Sequence, residues 1–116
     1  MAVVMSGGPA PASRILIPRA ARIPLTIPVV FACAEGRVKG RSIDISESGI
    51  LATFERPLDI WITGHLSILV PEHPIFLDAR IARVESHTAA MSFRTMTARD
   101  SFIIHSLINK AARQSS

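Results

Sequence analysis

The chain has 116 residues, of which 48% are apolar and 19% are charged, and this size and composition predict one folded globular domain. Thirteen Lys and Arg residues against nine Asp and Glu residues give a formal net charge of +4, which favours anionic partners. A single cysteine excludes an internal disulfide, and no apolar stretch reaches the roughly 20 residues that a membrane helix needs. We therefore expect a cytoplasmic protein without membrane insertion.

The beginning of the chain is rich in Gly, Pro and small residues. Residues 1–13, MAVVMSGGPAPAS, cannot bury much apolar surface, so they predict a flexible tail before a domain that spans residues 14–113. In the next segment Pro18, Pro24 and Pro28 exclude a helix and favour an extended chain that leads into a first strand. Three arginines lie on this segment: Arg14, Arg19 and Arg22.

After residue 28 the sequence changes to short runs of β-branched and apolar residues separated by turn signals. Many short strands at nearly even spacing indicate an antiparallel barrel or sandwich, and a closed barrel suits this size because it leaves no exposed edges. The fold class is therefore predicted to be mainly β, a six-stranded antiparallel barrel. The predicted strands cover residues 28–35, 38–45, 49–54, 65–70, 75–85 and 88–94.

The last segment, TARDSFIIHSLINKAAR, has helical periodicity. Thr97 and Asp100 resemble a capping box at its start, with Thr97 accepting from free helix N–H groups and Asp100 placed favourably in the helix dipole. We expect a C-terminal α-helix that packs on the barrel with one apolar face: Ile103, Ile104, Leu107, Ile108 and Ala111.

Signatures of catalysis and of metal or cofactor binding are not found in the sequence. It contains no GxGxxG, P-loop or GxSxG motif, and its four histidines lack the spacing of metal ligands. The few aromatic residues fall at positions that strand cores need, which argues against single-stranded nucleic acid as a partner. We expect a protein that is not an enzyme, with no metal or cofactor, while an unidentified protein partner remains open because such binding needs no sequence pattern.

The stretch SIDISESGI, residues 42–50, is a polar cluster between two predicted strands. The side chains of Asp44 and Ser46 bond readily to nearby backbone in turns, and Gly49 tolerates a positive φ. These residues taken alone favour a strand–turn–strand connection over a ligand site.

The order of features along the chain resembles the PilZ domain family. An Arg-bearing segment, PRAARIPL, precedes the first strand, and a (D/N)xSxxG motif follows as Asp44, Ser46 and Gly49. A VxR-like strand, ARIARVE, comes later, and Phe93, Met96 and Asp100 lead into the helix. The similarity extends over residues 14–113.

This resemblance implies a six-stranded antiparallel barrel with a C-terminal helix that binds cyclic di-GMP, a bacterial second messenger. Such a receptor relays the messenger's level to a partner protein in motility, biofilm or pilus regulation. The implied ligand-binding residues are Arg22, Asp44, Ser46 and Gly49, with Arg19 and Arg14 as auxiliary cations.

The sequence departs from the family's RxxxR motif at the first arginine. Four residues before Arg22 stands Pro18, and the nearest arginine, Arg19, gives RxxR instead. Arg37 and Arg41 satisfy the spacing but lie in the predicted strand hairpin and not ahead of the barrel. Two hypotheses therefore stay open: a cyclic di-GMP receptor, and a degenerate PilZ domain that has lost the nucleotide and acts through protein contacts alone.

Overall fold

The computed structural model describes residues 22–115, with side chains described as far as residue 111. The predicted tail, residues 1–13, lies outside this range. So do Arg14, Pro18 and Arg19 of the entry segment, which is the chain from residue 14 to residue 27 ahead of the first long strand. Seven strands and one helix follow one another in the described chain: β1 (Ile23–Pro24), β2 (Pro28–Cys33), β3 (Gly36–Ile45), β4 (Gly49–Phe54), β5 (Thr63–Ile68), β6 (Ile75–Glu85), β7 (Thr88–Thr95) and α1 (Ala98–Ser115).

Six strands close into an antiparallel barrel. The order around the ring is β3, β2, β5, β6, β7, β4, and pairing of β4 with β3, from Gly40 opposite Phe54 to Ile45 opposite Ile50, completes the circle. Closure pairs the strand edges that an open sheet would expose. The short strand β1 continues the line of β2 along the end of β3. The predicted barrel with a C-terminal helix is confirmed.

The barrel interior is filled with aliphatic side chains and a few Phe residues because alternate residues of each strand point inward. Each large side chain removed from water here contributes about 1.5 to 3 kcal/mol. Fully buried members of this core include Phe31, Ile45, Ile50, Leu66, Ile68, Ile75 and Ile81.

Helix α1 packs on the barrel as the sequence predicted. Ile104 is fully buried, and the other four residues of the predicted face are partly buried against the core. The Oγ1 atom of Thr97 accepts a hydrogen bond from the backbone N–H of Asp100 at 3.1 Å, so Thr97 caps the helix. The helix lies against β1 and β6 and so reaches the end of the barrel where the chain enters.

Strand boundaries differ from the predictions by about two residues at several ends. The turn between β2 and β3 takes up only residues 34–35, and Gly36, whose φ of 121° favours glycine, begins β3 two residues earlier than predicted. Strand β5 begins and ends earlier than predicted, at Thr63 and Ile68. The predicted bounds of β4 and β6 agree with the structure.

Candidate functional site

The chain ahead of β2, residues 22–27 of the entry segment, is fixed to β3 by a buried serine. The Oγ atom of Ser42, which is almost fully buried, accepts from the backbone N–H of Ile27 at 3.0 Å and donates to the carbonyl of Leu25. The backbone N–H of Ser42 also donates to the carbonyl of Ile27 at 2.9 Å. Prolines deprive this segment of N–H donors, so the serine hydroxyl supplies bonds that a regular ladder would otherwise give.

This attachment places Arg22 beside Asp44. Pro24 lies opposite Asp44 in the pairing of β1 with β3. The Nε and Nη2 atoms of Arg22 lie 3.0 and 2.8 Å from the Oδ1 atom of Asp44, so the pair does not use Oδ2. The side chains are 49% and 25% exposed, and such a pair is worth at most about 1 kcal/mol. The two residues are therefore held together but can separate at small cost.

Residues 46–49 form the predicted turn, and Ser46 is its internal brace. Ser46 is 1% exposed, its Oγ accepts from the N–H of Ser48 at 3.3 Å, and its own N–H donates to the carbonyl of Gly49 at 2.9 Å. The carbonyl of Ser48 accepts from the N–H of Phe93 at 3.0 Å. These bonds hold the turn together and attach it to β7. Of the two serines in the turn, Ser48 lines a neighbouring cavity.

Gly49 has a different physical role from the one that its place in a turn suggested. It begins β4, and among the described glycines only Gly36 has a positive φ. A Cβ atom at Gly49 would lie 2.4 Å from the carbonyl oxygen of Met91, closer than real Cβ contacts come. Glycine is required because strand β7 passes so near.

Two β-bulges turn charged side chains outward at this site. Between Ser42 and Asp44 the pairing with β4 shifts, so that Ser42 lies opposite buried Ala52 whereas Asp44 lies opposite Leu51. A regular strand would place both residues on the inner face, because residues two apart share a face. The extra residue, Ile43, reverses the alternation and brings Asp44 to the outside.

The second bulge lies in β6. Ile81 pairs with Met91 and both are buried, whereas Arg83 pairs with half-buried Ala90 across a register shift. The extra residue is Ala82, and it moves Arg83 to the outer face beside Asp44. Strict alternation from Ile81 would place Arg83 in the core, so the strand pattern alone does not mark it as a site residue.

A cavity of about 520 Å³ lies between these groups, and we refer to it as the Arg22 cavity. It is bordered by two arginines, one aspartate and two serines. The small side chains of Ala82 and Ala90 form part of its wall. Its volume is within the range of small-molecule sites. The lining residues are Arg22, Asp44, Ser48, Gly49, Leu51, Ala82, Arg83, Ala90, Met91 and Ser92.

The structure thus brings three of the predicted site residues to one cavity: Arg22, Asp44 and Gly49. Ser46 lies beneath them in the turn. Three lining residues were not among the predicted site residues: Ser48, Ser92 and Arg83. Ser48 belongs to the polar stretch SIDISESGI and Arg83 to the ARIARVE strand, whereas the sequence around Ser92 gives no signal.

A second cavity of about 470 Å³ is bordered by an exposed His65–Asp78 pair, 2.7 Å apart, together with Cys33 and Arg94. Within residues 22–115, no group of three or more His, Cys, Asp and Glu side chains has an arrangement that could hold a metal ion. In the same part of the chain, no helix is both long and apolar enough to cross a membrane.

Comparison with known proteins identifies the architecture. Among solved structures, the chain is similar to the PilZ domain of CeSA from a cellulose-synthesising bacterium, with 23% identity, a TM-score of 0.61, and 84% of this chain and all of that one covered. It is also similar to the PilZ domain of YcgR from Escherichia coli with c-di-GMP, with 14% identity and a TM-score of 0.71 over 84% of this chain and 93% of that one.

The Bacillus subtilis inhibitor of motility, MotI/DgrA, matches with 18% identity and a TM-score of 0.69 over 90% of this chain and 56% of its own length. Among curated proteins, none matches the sequence at a significant level. The family model for the PilZ domain matches residues 17–110. The chain therefore belongs to the PilZ domain family, which is a cyclic di-GMP-binding family.

Proposed function

We propose that the protein is a cytoplasmic receptor for cyclic di-GMP that performs no chemistry on its ligand and binds it in the Arg22 cavity. The observation that carries the proposal is the meeting of two guanidinium groups, Arg22 and Arg83, with the carboxylate of Asp44 around one open cavity. The likeness to a PilZ domain solved with c-di-GMP supports the same assignment.

The donor and acceptor set suits the ligand. Cyclic di-GMP carries two phosphates and two guanines, and a guanidinium can pair with phosphate, form a two-pronged bond to guanine O6 and N7, or stack on the purine. The carboxylate of Asp44 accepts from the N–H edge of guanine, and Ser48 adds a hydroxyl. Ser46 and Gly49 act as framework, through the brace and the close approach to Met91. Arg14 and Arg19 remain auxiliary cations in the proposal.

Ligand entry must compete with the ion pair between Arg22 and Asp44. Because the pair is partly exposed, its disruption costs at most about 1 kcal/mol, a loss of about fivefold in affinity. Each charge-assisted bond to the nucleotide contributes about 1.5 to 3 kcal/mol, so the exchange favours binding. The pair therefore holds the two side chains in place without closing the site.

A route from the cavity to a partner protein runs through α1. Glu47, in the turn beside Ser46, lies 3.0 Å from the Nε2 atom of His105 on the helix. A ligand that displaces the turn would change this contact and with it the end of the barrel that α1 covers. We take this as the physical basis of the relay.

The alternative function, protein binding without nucleotide, has the altered RxxxR motif in its favour. Isothermal titration calorimetry with cyclic di-GMP distinguishes the two. We expect saturable heat from the wild type, and affinities lower by about ten- to a hundredfold in Arg22→Ala and Asp44→Ala. Arg41→Ala, which removes the same charge from the outer face of β3, should bind like the wild type.

If the wild type gives no heat of binding at high nucleotide concentration, the receptor proposal is refuted and the protein-binding alternative remains. Binding that survives both Arg22→Ala and Asp44→Ala would move the site elsewhere. Urea denaturation of each variant keeps a folding defect from being read as lost affinity.

A further inference from the structure

The structure carries a further concave surface, separate from the Arg22 cavity and from the cavity beside His65. It is a groove of about 390 Å³ between α1 and the loop that joins β5 to β6, and we call it the α1 groove. Its apolar surface is formed by Val70, Phe102, Ile103 and Leu107, and Arg99 and Lys110 stand toward its two ends. This face of α1 overlaps the face that packs on the barrel, since Ile103 and Leu107 belong to both.

Part of the apolar surface of the α1 groove is open to solvent in the described chain, while Val70, Ile103 and Leu107 are half-buried. Phe102 is 73% exposed, and Leu69, next to Val70 in the loop, is also exposed. A single exposed apolar residue is common in proteins, but a concave cluster with a large aromatic side chain at its edge marks an interaction site. Aromatic anchors of this kind contribute most of the energy in protein interfaces.

The charges around the α1 groove are of one sign. The charged lining residues are Arg99 and Lys110, His73 also borders the groove, and none of the described lining residues is a carboxylate. Asp100 lies 3.3 Å from Arg99, but this carboxylate is buried and leaves other guanidinium donors of Arg99 outward. Along the helix axis Arg99 and Lys110 are about 16 Å apart, which is about three helical turns.

We propose that the α1 groove binds an amphipathic helix of a partner protein, with acidic residues about three turns apart and an apolar stripe between them. An apolar stripe at i, i+3, i+4 and i+7 fits a groove of this kind, and terminal carboxylates complement Arg99 and Lys110. A second copy of this chain is disfavoured, because a two-fold contact through the groove brings like charges together. The proposal goes beyond nucleotide binding and does not depend on it.

The test is selection from a displayed library of random peptides about 16 residues long, with the full chain as bait. Peptides that bind the wild type are counter-selected on Phe102→Ser and Lys110→Glu. Matched controls are Trp61→Ser, which removes a large exposed side chain elsewhere, and Lys39→Glu, which makes the same charge change on β3.

We expect enriched peptides with the helical apolar spacing and with Asp or Glu at both ends. Their affinity, measured by fluorescence anisotropy, should fall at least about tenfold in the two groove variants and remain unchanged in the two controls. Failure to enrich any sequence, enrichment of basic or neutral sequences, or equal binding to the groove variants would overturn the proposal.

Two further measurements test whether a second copy of the chain or a lipid surface occupies the α1 groove instead of a partner helix. Sedimentation velocity of the chain alone detects self-association, and co-sedimentation with phosphatidylserine–phosphatidylcholine vesicles detects a membrane surface. Dimers or vesicle binding that disappear in Phe102→Ser would assign the α1 groove to a second copy or to lipid, and would replace the peptide partner. We expect neither.

Discussion

Gly49→Ala tests the close approach that shapes the candidate site. The added Cβ atom would lie 2.4 Å from the carbonyl oxygen of Met91, whereas ordinary contact begins at 3.4 Å, so strand β7 must withdraw by about 1 Å. Overpacking of this kind costs about 1 to 3 kcal/mol, and the lower chain entropy of unfolded alanine returns about 0.4 to 1 kcal/mol. The middle of each range gives about 1.3 kcal/mol, so we expect a net loss of about 1 to 2 kcal/mol in the free energy of unfolding.

For a domain of this size that loss lowers Tm by about 4 to 16 °C, which urea denaturation and a thermal scan both detect. Nucleotide affinity should also fall, because a shift of about 1 Å between Ser48 and Met91 exceeds what a preorganised site tolerates. Gly64→Ala is the control, since its Cβ would lie 2.4 Å from the carbonyl oxygen of Ala32, in another part of the barrel. It should destabilise the fold and leave the affinity of the folded protein unchanged. A stability of Gly49→Ala within about 0.5 kcal/mol of the wild type, which is the range of an ordinary surface substitution, would refute the reasoning.

Three further predictions concern stability. Ile104→Ala should lower the free energy of unfolding by about 2 to 5 kcal/mol, because the side chain is fully buried. Phe102→Ala, two residues away and exposed, should change it by less than about 0.5 kcal/mol. Urea denaturation followed by circular dichroism compares the two variants, and equal losses would contradict the helix orientation. Thr97→Ala should cost about 0.5 to 2 kcal/mol through loss of the helix cap, and Thr97→Ser should recover most of it; an equal loss in both would contradict a capping role. Arg22→Ala without nucleotide should lose at most about 1 kcal/mol, since its pair with Asp44 is partly exposed, and a larger loss by chemical denaturation would mean that Arg22 is structural.

The strands and the helix were predictable because local signals agree with the tertiary structure. Runs such as ILATF and IFLDARIARVE carry β-branched and apolar residues between clear turn residues, and β4 and β6 follow them. The C-terminal helix was predictable from the spacing of Ile104 and its neighbours and from the Thr97 cap. The order of the strands around the barrel was not predicted, because local periodicity does not tell which strands pair.

The candidate site was predictable only in part, for a reason that concerns backbone register. Alternation along a strand assigns Asp44 to the same face as Ser42, and Arg83 to the same face as Ile81, yet a bulge reverses each of them. Bulges depend on pairing with a neighbouring strand, so a sequence window does not contain the information. The role of Ser42 in fixing the entry segment is likewise a contact between segments distant in sequence.

The central claim is that cyclic di-GMP occupies the Arg22 cavity, and an NMR titration of the ¹⁵N-labelled full chain tests it most directly. The account predicts that the largest amide shifts on adding cyclic di-GMP fall at Arg22, in residues 44–49, and around Arg83 and Met91, with a smaller effect on α1 near His105. An unchanged spectrum at saturating nucleotide, or shifts centred on the cavity beside His65 and Asp78, would contradict it.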